Sequence, residues 1–422
     1  MLQKNDDISG GAPLRVLLAS YRSHPFVGGQ GIYVRYLTQA LLDLGHQVDV
    51  VSGPPYPELD PRAGLIKLPS LDLFAANNPM YALRWKHWRT WADLSEWAAH
   101  NSGAFGEPYA FGRRLRRFVA ANAGQYDVLH DNQTLARSLL KIQRDLPVVA
   151  TLHHPISIDL RLALAAEKRW WMRSFIRRWH KFVVMQAKTA RKLPFILTVS
   201  EASKQAALED FGGHAEQYHV VPNGVDQRIF HPDLAVKREA HLLVAIASAD
   251  TPLKGLPVVV DAFAKLVPDH PDLRLHVIGK LRDGPTRNAI AAHGLNELIT
   301  FSANLEQSDI AKLFQRATIA VSASLFEGFG LPAAEAMACG APVVVSNGGA
   351  LPEVVADAGL IVPKGDSNAL AAAIAQLLAD PCQRTSLGLA AAARAKTVFS
   401  WERHAAVAVA LYRKAVHANH FT

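Results

Sequence analysis

Residues 327–340 read Glu327-Gly328-Phe329-Gly330-Leu331-Pro332-Ala333-Ala334-Glu335-Ala336-Met337-Ala338-Cys339-Gly340, and the apolar run Pro342-Val343-Val344-Val345-Ser346 follows at once. Pro332 suits the first turn of a helix, where its missing N–H costs nothing and its φ is already helical, and Gly340 suits the residue just past the end. The stretch therefore predicts loop, helix, turn and buried strand, with Glu327 in the loop and Glu335 near the end of the first turn. Gly328 and Gly330 let backbone N–H groups approach a ligand. A ligand carrying both phosphates and hydroxyls fits such a place: the N–H groups and the positive helix end hold phosphate oxygens, and carboxylates accept from sugar hydroxyls. A nucleotide sugar is one. Each glutamate alone is an ordinary helix-start acid; the weight rests on glycines, Pro332, small-residue helix and strand occurring together.

Working outward, 422 residues are too many for a single core and fit two domains. Half the residues are hydrophobic and 19% charged, so burial is ample beyond the first dozen residues. No run of eighteen apolar residues and no signal-peptide pattern appears, which makes the cytoplasm the expected location. Two cysteines, Cys339 and Cys382, exclude a disulfide framework or a cysteine metal cage. The net charge of +8 is lopsided: residues 1–233 hold 28 Lys and Arg against 21 Asp and Glu. An acidic partner is thus expected on the N-terminal half. Nucleic acid is not that partner by pattern, because no helix-turn-helix, zinc-finger or RNP motif is present.

The N-terminal half begins with strand-like Leu14-Arg15-Val16-Leu17-Leu18-Ala19-Ser20, the glycine turn Gly28-Gly29-Gln30-Gly31, a helical pattern over 32–44, and a second strand ending at Val51. Glycines before a helix suit a phosphate, although this turn is not the spaced dinucleotide fingerprint. Residues 53–120 are irregular, with prolines at 54, 55, 57 and 61 and with Trp85, Trp88, Trp91 and Trp97 at helical spacing, a pattern that predicts a helix packed through its tryptophans. Two strands then end in histidine, at His130 and at His153-His154. Ligands in open α/β sheets bind at the carboxyl ends of strands, so His130, Asn132, His153 and His154 are candidates for the acceptor side. Residues 159–192 carry ten Lys and Arg interleaved with Trp170, Trp171, Phe175, Trp179 and Phe182. As one helix they would segregate cations from aromatics, as in helices lying on anionic membranes, or else send the aromatics into the core and leave the cations merely solvated. A run 195–201 reads as the last buried strand of the first domain.

The C-terminal half repeats the grammar. His241 to Ser248 is strand-like, Lys254-Gly255 stands at the mouth of a helix where a lysine can meet a diphosphate, and a second strand ends at Gly279.

Together these residues resemble glycosyltransferase family 4, the retaining nucleotide-sugar transferases of GT-B fold. Glu327 and Glu335, with seven residues between them, look like its Glu-x7-Glu signature, and Lys254-Gly255 looks like its Lys-Gly element. Val220 to Asp226 and Phe230-His231-Pro232 are similar to its interdomain connection. The resemblance spans nearly the whole chain apart from 53–120 and 159–192. It implies an α/β protein of two Rossmann-like domains with parallel sheets facing across a deep cleft: 1–230 on the acceptor side, 231–398 binding the donor, and 399–422 packing back on the first domain.

The resemblance also implies a donor-binding set of Gly28, Gly29, Asp250, Lys254, Asn304, Glu327, Gly328, Phe329, Gly330, Leu331 and Glu335. Lys254 would stabilise the leaving diphosphate, Glu327 the transferred sugar, Glu335 the ribose and the turn at Asn304 the base. The catalytic set is Lys254, Glu327, His130, Asn132 and His153. No metal or cofactor is expected, the nucleoside-diphosphate sugar being a co-substrate whose leaving phosphate takes the acceptor proton. UDP is the first carrier expected and GDP the next; the acceptor is a hydroxyl of a lipid, glycan or small molecule, lipid-linked or acidic acceptors included. Contact with the inner face of a membrane through 159–192 completes the expectation. Two departures from the family pattern stand out: Ala249 where an arginine is usual, and His130-Asp131-Asn132 where His-x-His is common. A nucleotide-sugar epimerase of the same fold and a non-catalytic nucleotide-sugar binder are the alternatives.

Overall fold

The computed structural model describes residues 12–24, 29–73, 76, 78–83, 90–122, 124–247 and 251–419. The chain forms two compact units. The first takes the described residues up to Val199, then Lys204–Val221, then those from Trp401 onward; the second takes Ser200–Ser203 and Pro222–Ser400.

The first unit is built on seven parallel strands, β1 (Arg15–Ser20), β2 (Gln47–Ser52), β3 (Gly64–Lys67), β4 (Val128–Asn132), β5 (Val148–Leu152), β6 (Ile196–Thr198) and β7 (Tyr218–Val220), in the order β3-β2-β1-β4-β5-β6-β7. Alternate side chains of a strand face opposite sides, and β1 shows this directly. Leu17 and Ala19 join one core with Phe111, Leu115 and Phe182, while Val16 and Leu18 join the other with Tyr33, Val34, Leu37, Val409 and Tyr412. The helices Gly29–Asp43 and Trp401–Asn419 supply much of that second face.

The second unit has six parallel strands, β8 (Leu242–Ile246), β9 (Arg274–Ile278), β10 (Ile299–Ser302), β11 (Ile319–Ser322), β12 (Val343–Ser346) and β13 (Leu360–Val362), in the order β10-β9-β8-β11-β12-β13. Val259, Val260 and Phe263 of the Leu256–Leu266 helix and Leu370, Ile374 and Leu377 of the Ser367–Ala379 helix fill one face. In both sheets the strand order reverses direction next to the first strand, between β1 and β4 and between β8 and β11. Such switch points open a crevice at the carboxyl ends of the two flanking strands.

Several elements differ from the sequence reading. β6 is followed by β7 in the same sheet, so 195–201 does not hold the last strand of the first unit. Residues 159–192 form three helices, within Ser157–Ala166, Trp170–Trp179 and Phe182–Ala190, rather than one. Glu167 accepts from the Arg169 N–H and grips its guanidinium, holding the chain extended between the first two. Among the described residues the tryptophan segment forms the α-helix Trp91–Asn101, and Trp91 is 65% exposed instead of packed; Trp85 and Trp88 lie outside the described residues. Gly29 occupies the first turn of its helix, not the preceding loop, and Gly28 lies outside the described residues. The glycine demanded by sterics there is Gly31, where a Cβ would sit 2.0 Å from the His24 carbonyl oxygen.

Candidate active site

At the switch point of the second unit, the loop after β8 brings Lys254 and the loop after β11 brings Glu327. Lys254 Nζ donates to Glu327 Oε1 at 2.7 Å, and Ser324 Oγ donates to the same oxygen at 2.7 Å. The pair is largely shielded, the lysine side chain being 20% and the glutamate 14% exposed.

Glycines set the backbone beneath it. A Cβ on Gly255 would fall 2.0 Å from the Ala323 carbonyl oxygen, one on Gly348 2.0 Å from that of Ser324, and one on Gly349 2.3 Å from that of Glu327. Gly255 and Gly349 also adopt left-handed φ, of 62° each, which disfavours any side chain. The loop is further tied by Leu325 N–H to the Leu253 carbonyl and Ala350 N–H to the Glu327 carbonyl. Ser200 and Ser203, which belong to this unit, both donate to the Gly328 carbonyl. Gly330, at φ 94°, turns the chain into the Leu331–Ala338 helix, whose first N–H groups follow directly on the Glu327 loop. Such a terminus carries partial positive charge and unpaired donors.

Glu335 is the fifth residue of that helix, just past its first turn, and only 7% exposed. Burial pushes its carboxyl up to about 8, so it is protonated at neutral pH and able to donate as well as accept. Phe329 turns its ring onto Phe399, centroids 5.5 Å apart, and so offers a ligand its backbone; Leu331 is half-buried. Asn304 stands exposed in a left-handed turn, φ 57°, just past β10. Asp250 lies outside the described residues.

The first unit has its own strand-end cluster. Asn132, at the end of β4, receives His153 Nε2 on Oδ1 at 2.8 Å and donates through Nδ2 to Ser20 Oγ, at the end of β1, at 3.2 Å. Tyr33 stands edge-on to the His153 ring at 4.6 Å. Burial and neighbouring imidazoles lower His153 to about 3, so it is neutral in ordinary buffers and, facing an oxygen acceptor, carries its proton on Nε2. His154 faces elsewhere, bonding Asp159 at 2.7 Å.

His130 is not placed as the sequence suggested. It is wholly buried; Nε2 meets Thr151 Oγ1 at 2.7 Å, and Nδ1 meets the hydroxyl of Tyr412 from the C-terminal helix. With both ring nitrogens engaged and its basicity lowered to about 3 by burial, it fastens β4, β5 and that helix, and presents no nitrogen to an acceptor. Sequence reasoning missed the residues that position these groups: Ser324 and Ser20 share only the signal of lying near a strand's carboxyl end, and Tyr33, Thr151 and Tyr412 carry no local signal. Among the described residues no group of three or more His, Cys, Asp and Glu is gathered to hold a metal ion.

The description "Glycosyltransferase Family 4" matches residues 27–228 and "Glycosyl transferases group 1" matches 227–394. The MMP alpha-(1->4)-mannosyltransferase of Mycolicibacterium hassiacum is 44% identical over 409 residues, 96% of this chain and 98% of that protein. Sucrose-phosphate synthase from Thermosynechococcus elongatus superposes with a TM-score of 0.73 at 23% identity, covering 96% of this chain and 100% of the other. Anabaena Alr3699/HepE, solved in complex with UDP-glucose, superposes at 0.67 with 17% identity, covering 97% and 100%. The two structures establish the GT-B fold. A relative so similar along nearly the full length of both chains establishes more: this protein belongs to glycosyltransferase family 4 and is a glycosyl-transferring enzyme.

Proposed function

We propose that the protein transfers a mannosyl or related hexosyl group, with retention, from a nucleoside-diphosphate sugar to a glycan hydroxyl. The observation that carries this is the Lys254–Glu327–Ser324 constellation beside the N-terminus of the Leu331–Ala338 helix. As the glycosidic bond loosens, negative charge grows on the diphosphate, where Lys254 and the helix N–H groups stabilise it in a shielded setting. Glu327 then exchanges part of its bond to Lys254 for hydroxyls of the sugar, and Glu335 serves the ribose. In the first unit Asn132 and His153 orient the acceptor hydroxyl. A histidine lowered to about 3 is a poor base at neutral pH, which favours the leaving phosphate as the proton acceptor. The choice of mannose follows the Mycolicibacterium relative's name. A thermal-shift screen of UDP- and GDP-sugars followed by transfer assays on mannosides tests the reading; no shift with any of them, or donor turnover without an acceptor, would overturn it.

The same reading places the enzyme in the cytoplasm, docked on an anionic membrane surface. The Trp170–Trp179 helix buries none of its residues and holds Arg173, Arg177 and Arg178 with no acid. Trp170 is 80% and Phe175 53% exposed, and Phe175 lies against Gly103 at the end of the Trp91–Asn101 helix, which exposes Trp91. Exposed aromatics bordered by cations suit an anionic interface. No helix among the described residues is long and apolar enough to cross a membrane. Sedimentation with phosphatidylglycerol vesicles but not with phosphatidylcholine vesicles is expected, and is expected to be lost in a Trp170→Ala, Trp171→Ala, Phe175→Ala variant.

A further inference from the structure

A diphosphate ester brings about two negative charges, yet Lys254 is already paired with Glu327, so this constellation is close to neutral before any donor arrives. A second cation is required nearby. In the sequence of the loops that leave the carboxyl ends of the second unit's strands, the loop after β8 offers Lys254 alone, that after β9 offers Lys280 and Arg282, those after β10, β11 and β12 offer none, and that after β13 offers Lys364. Lys364 is three strands from β8, about 14 Å at the usual strand spacing, and its N–H is tied to Asn347 Oδ1. Arg282 already has a partner. Lys280 follows β9, the strand next to β8, the two strands lying about 5 Å apart across the ladder.

Its backbone is held at the right level. Ile278 pairs with Ile246 of β8, Ala247 N–H donates to the Ile278 carbonyl at 3.0 Å, and Gly279 N–H donates to the Ser302 carbonyl of β10 at 2.7 Å. The sheet thus pins β9 on both sides up to Gly279, and exposed Lys280 is the first residue past that ladder. It stands between the strand whose loop carries Lys254 and the strand whose turn carries Asn304. Resting on the donor-site reading above, we infer that Lys280 is a donor-binding residue that brings the second positive charge to the diphosphate. Lys280 then supplies the charge that the family pattern usually takes from an arginine, where this chain has Ala249.

Titration calorimetry with UDP, GDP, uridine and guanosine tests this on the full chain. Lys280→Ala is expected to weaken whichever diphosphate binds by about tenfold or more, the scale of one charge-assisted contact, while leaving the matching nucleoside unchanged. Lys280→Arg should keep most of the affinity. Being exposed, Lys280 is replaceable without loss of fold. Equal diphosphate affinity in Lys280→Ala and the parent overturns the inference and leaves the donor site standing. A parent that binds neither UDP nor GDP overturns the donor site itself, and this inference with it.

Discussion

Glu327 Oε1 accepts from Lys254 Nζ and from Ser324 Oγ, so the carboxylate and the ammonium hold each other until a donor intervenes. Removing either partner leaves the other charged and shielded, but the two removals differ in consequence. Lys254→Ala deletes the group proposed to meet the leaving diphosphate, and both donor KM and kcat should worsen, kcat by about 100-fold or more. Glu327→Gln frees Lys254 for the phosphate, so kcat should fall on a similar scale while donor affinity holds or improves. Steady-state kinetics against the nucleotide sugar separate the two, and matched KM changes would contradict the assignment. Glu335 makes a different prediction. Its native carboxyl titrates near 8, above its unfolded value, so the native state binds the proton more tightly and stability falls as pH rises from the ordinary carboxylate range through about 8. Glu335→Gln removes that fall, and the melting temperature of the variant minus that of the parent should grow from pH 5 to pH 9. Asp131 and Glu107, each raised to about 7 by burial, act equally in both proteins and cancel in the difference. The placement of Lys254 and Glu327 just before helices was legible in the sequence because local turn chemistry surrounds them. His130 was not: what closes it off is Tyr412, 282 residues further on, and no local pattern announces such a partner.

The elements that carry the site were legible where helix and strand signals are local. Pro332 does lie at the start of the Leu331–Ala338 helix, and the run after Gly340 does form buried β12. The helix over 170–179 was legible as amphipathic but not as separate, since its boundary is set by the Glu167 to Arg169 contact rather than by glycine or proline. Two glycines of the site make a ranked prediction. Gly330 has φ 94°, and a Cβ there would meet Leu351 Cδ2 at 2.7 Å, a side-chain end that can turn aside. Gly330→Ala should therefore cost about 1–2 kcal/mol, the left-handed penalty alone. Gly349 has φ 62°, and its Cβ would strike the Glu327 backbone, which cannot yield without moving the carboxylate. Gly349→Ala should lower the melting temperature further than Gly330→Ala and lower kcat as well. The reverse order in thermal unfolding would mean that Glu327 is not braced by the Gly348-Gly349 turn.

On the scale of the whole molecule, the chain leaves the second unit at Ser400 and returns to the first for the Trp401–Asn419 helix, so the first unit is finished only after the second has been made. The duplicated strand-helix grammar made two parallel α/β units legible, but not the importance of the Trp401–Asn419 helix, which lies in packing. Ala405, Ala408, Val409, Leu411 and Tyr412 complete the core that holds Val16, Leu18, Tyr33 and Leu37. Tyr33 OH also meets His404 Nε2 at 2.9 Å, and Tyr412 holds His130. Each large apolar side chain buried there contributes roughly 1.5–3 kcal/mol, against a total stability of about 5–15 kcal/mol for an ordinary domain. Deleting 401–422 also strands the buried polar groups of Tyr33 and His130, at about 1–3 kcal/mol each. The first unit is then expected to lose its cooperative fold, while the second, whose core takes nothing from that helix, keeps its own. Hydrogen exchange reads the two separately: amides of β1, β4 and β5 should lose protection in the truncated chain, and those of β8, β11 and β12 should keep it. Tyr412→Phe isolates the polar part, since it keeps the ring and removes only the hydroxyl that His130 Nδ1 meets. It should destabilise the first unit by about 1–3 kcal/mol, with β8 and β11 unaffected. Full protection of β1 and β4 in the truncated chain would show that the first unit is complete without its last helix.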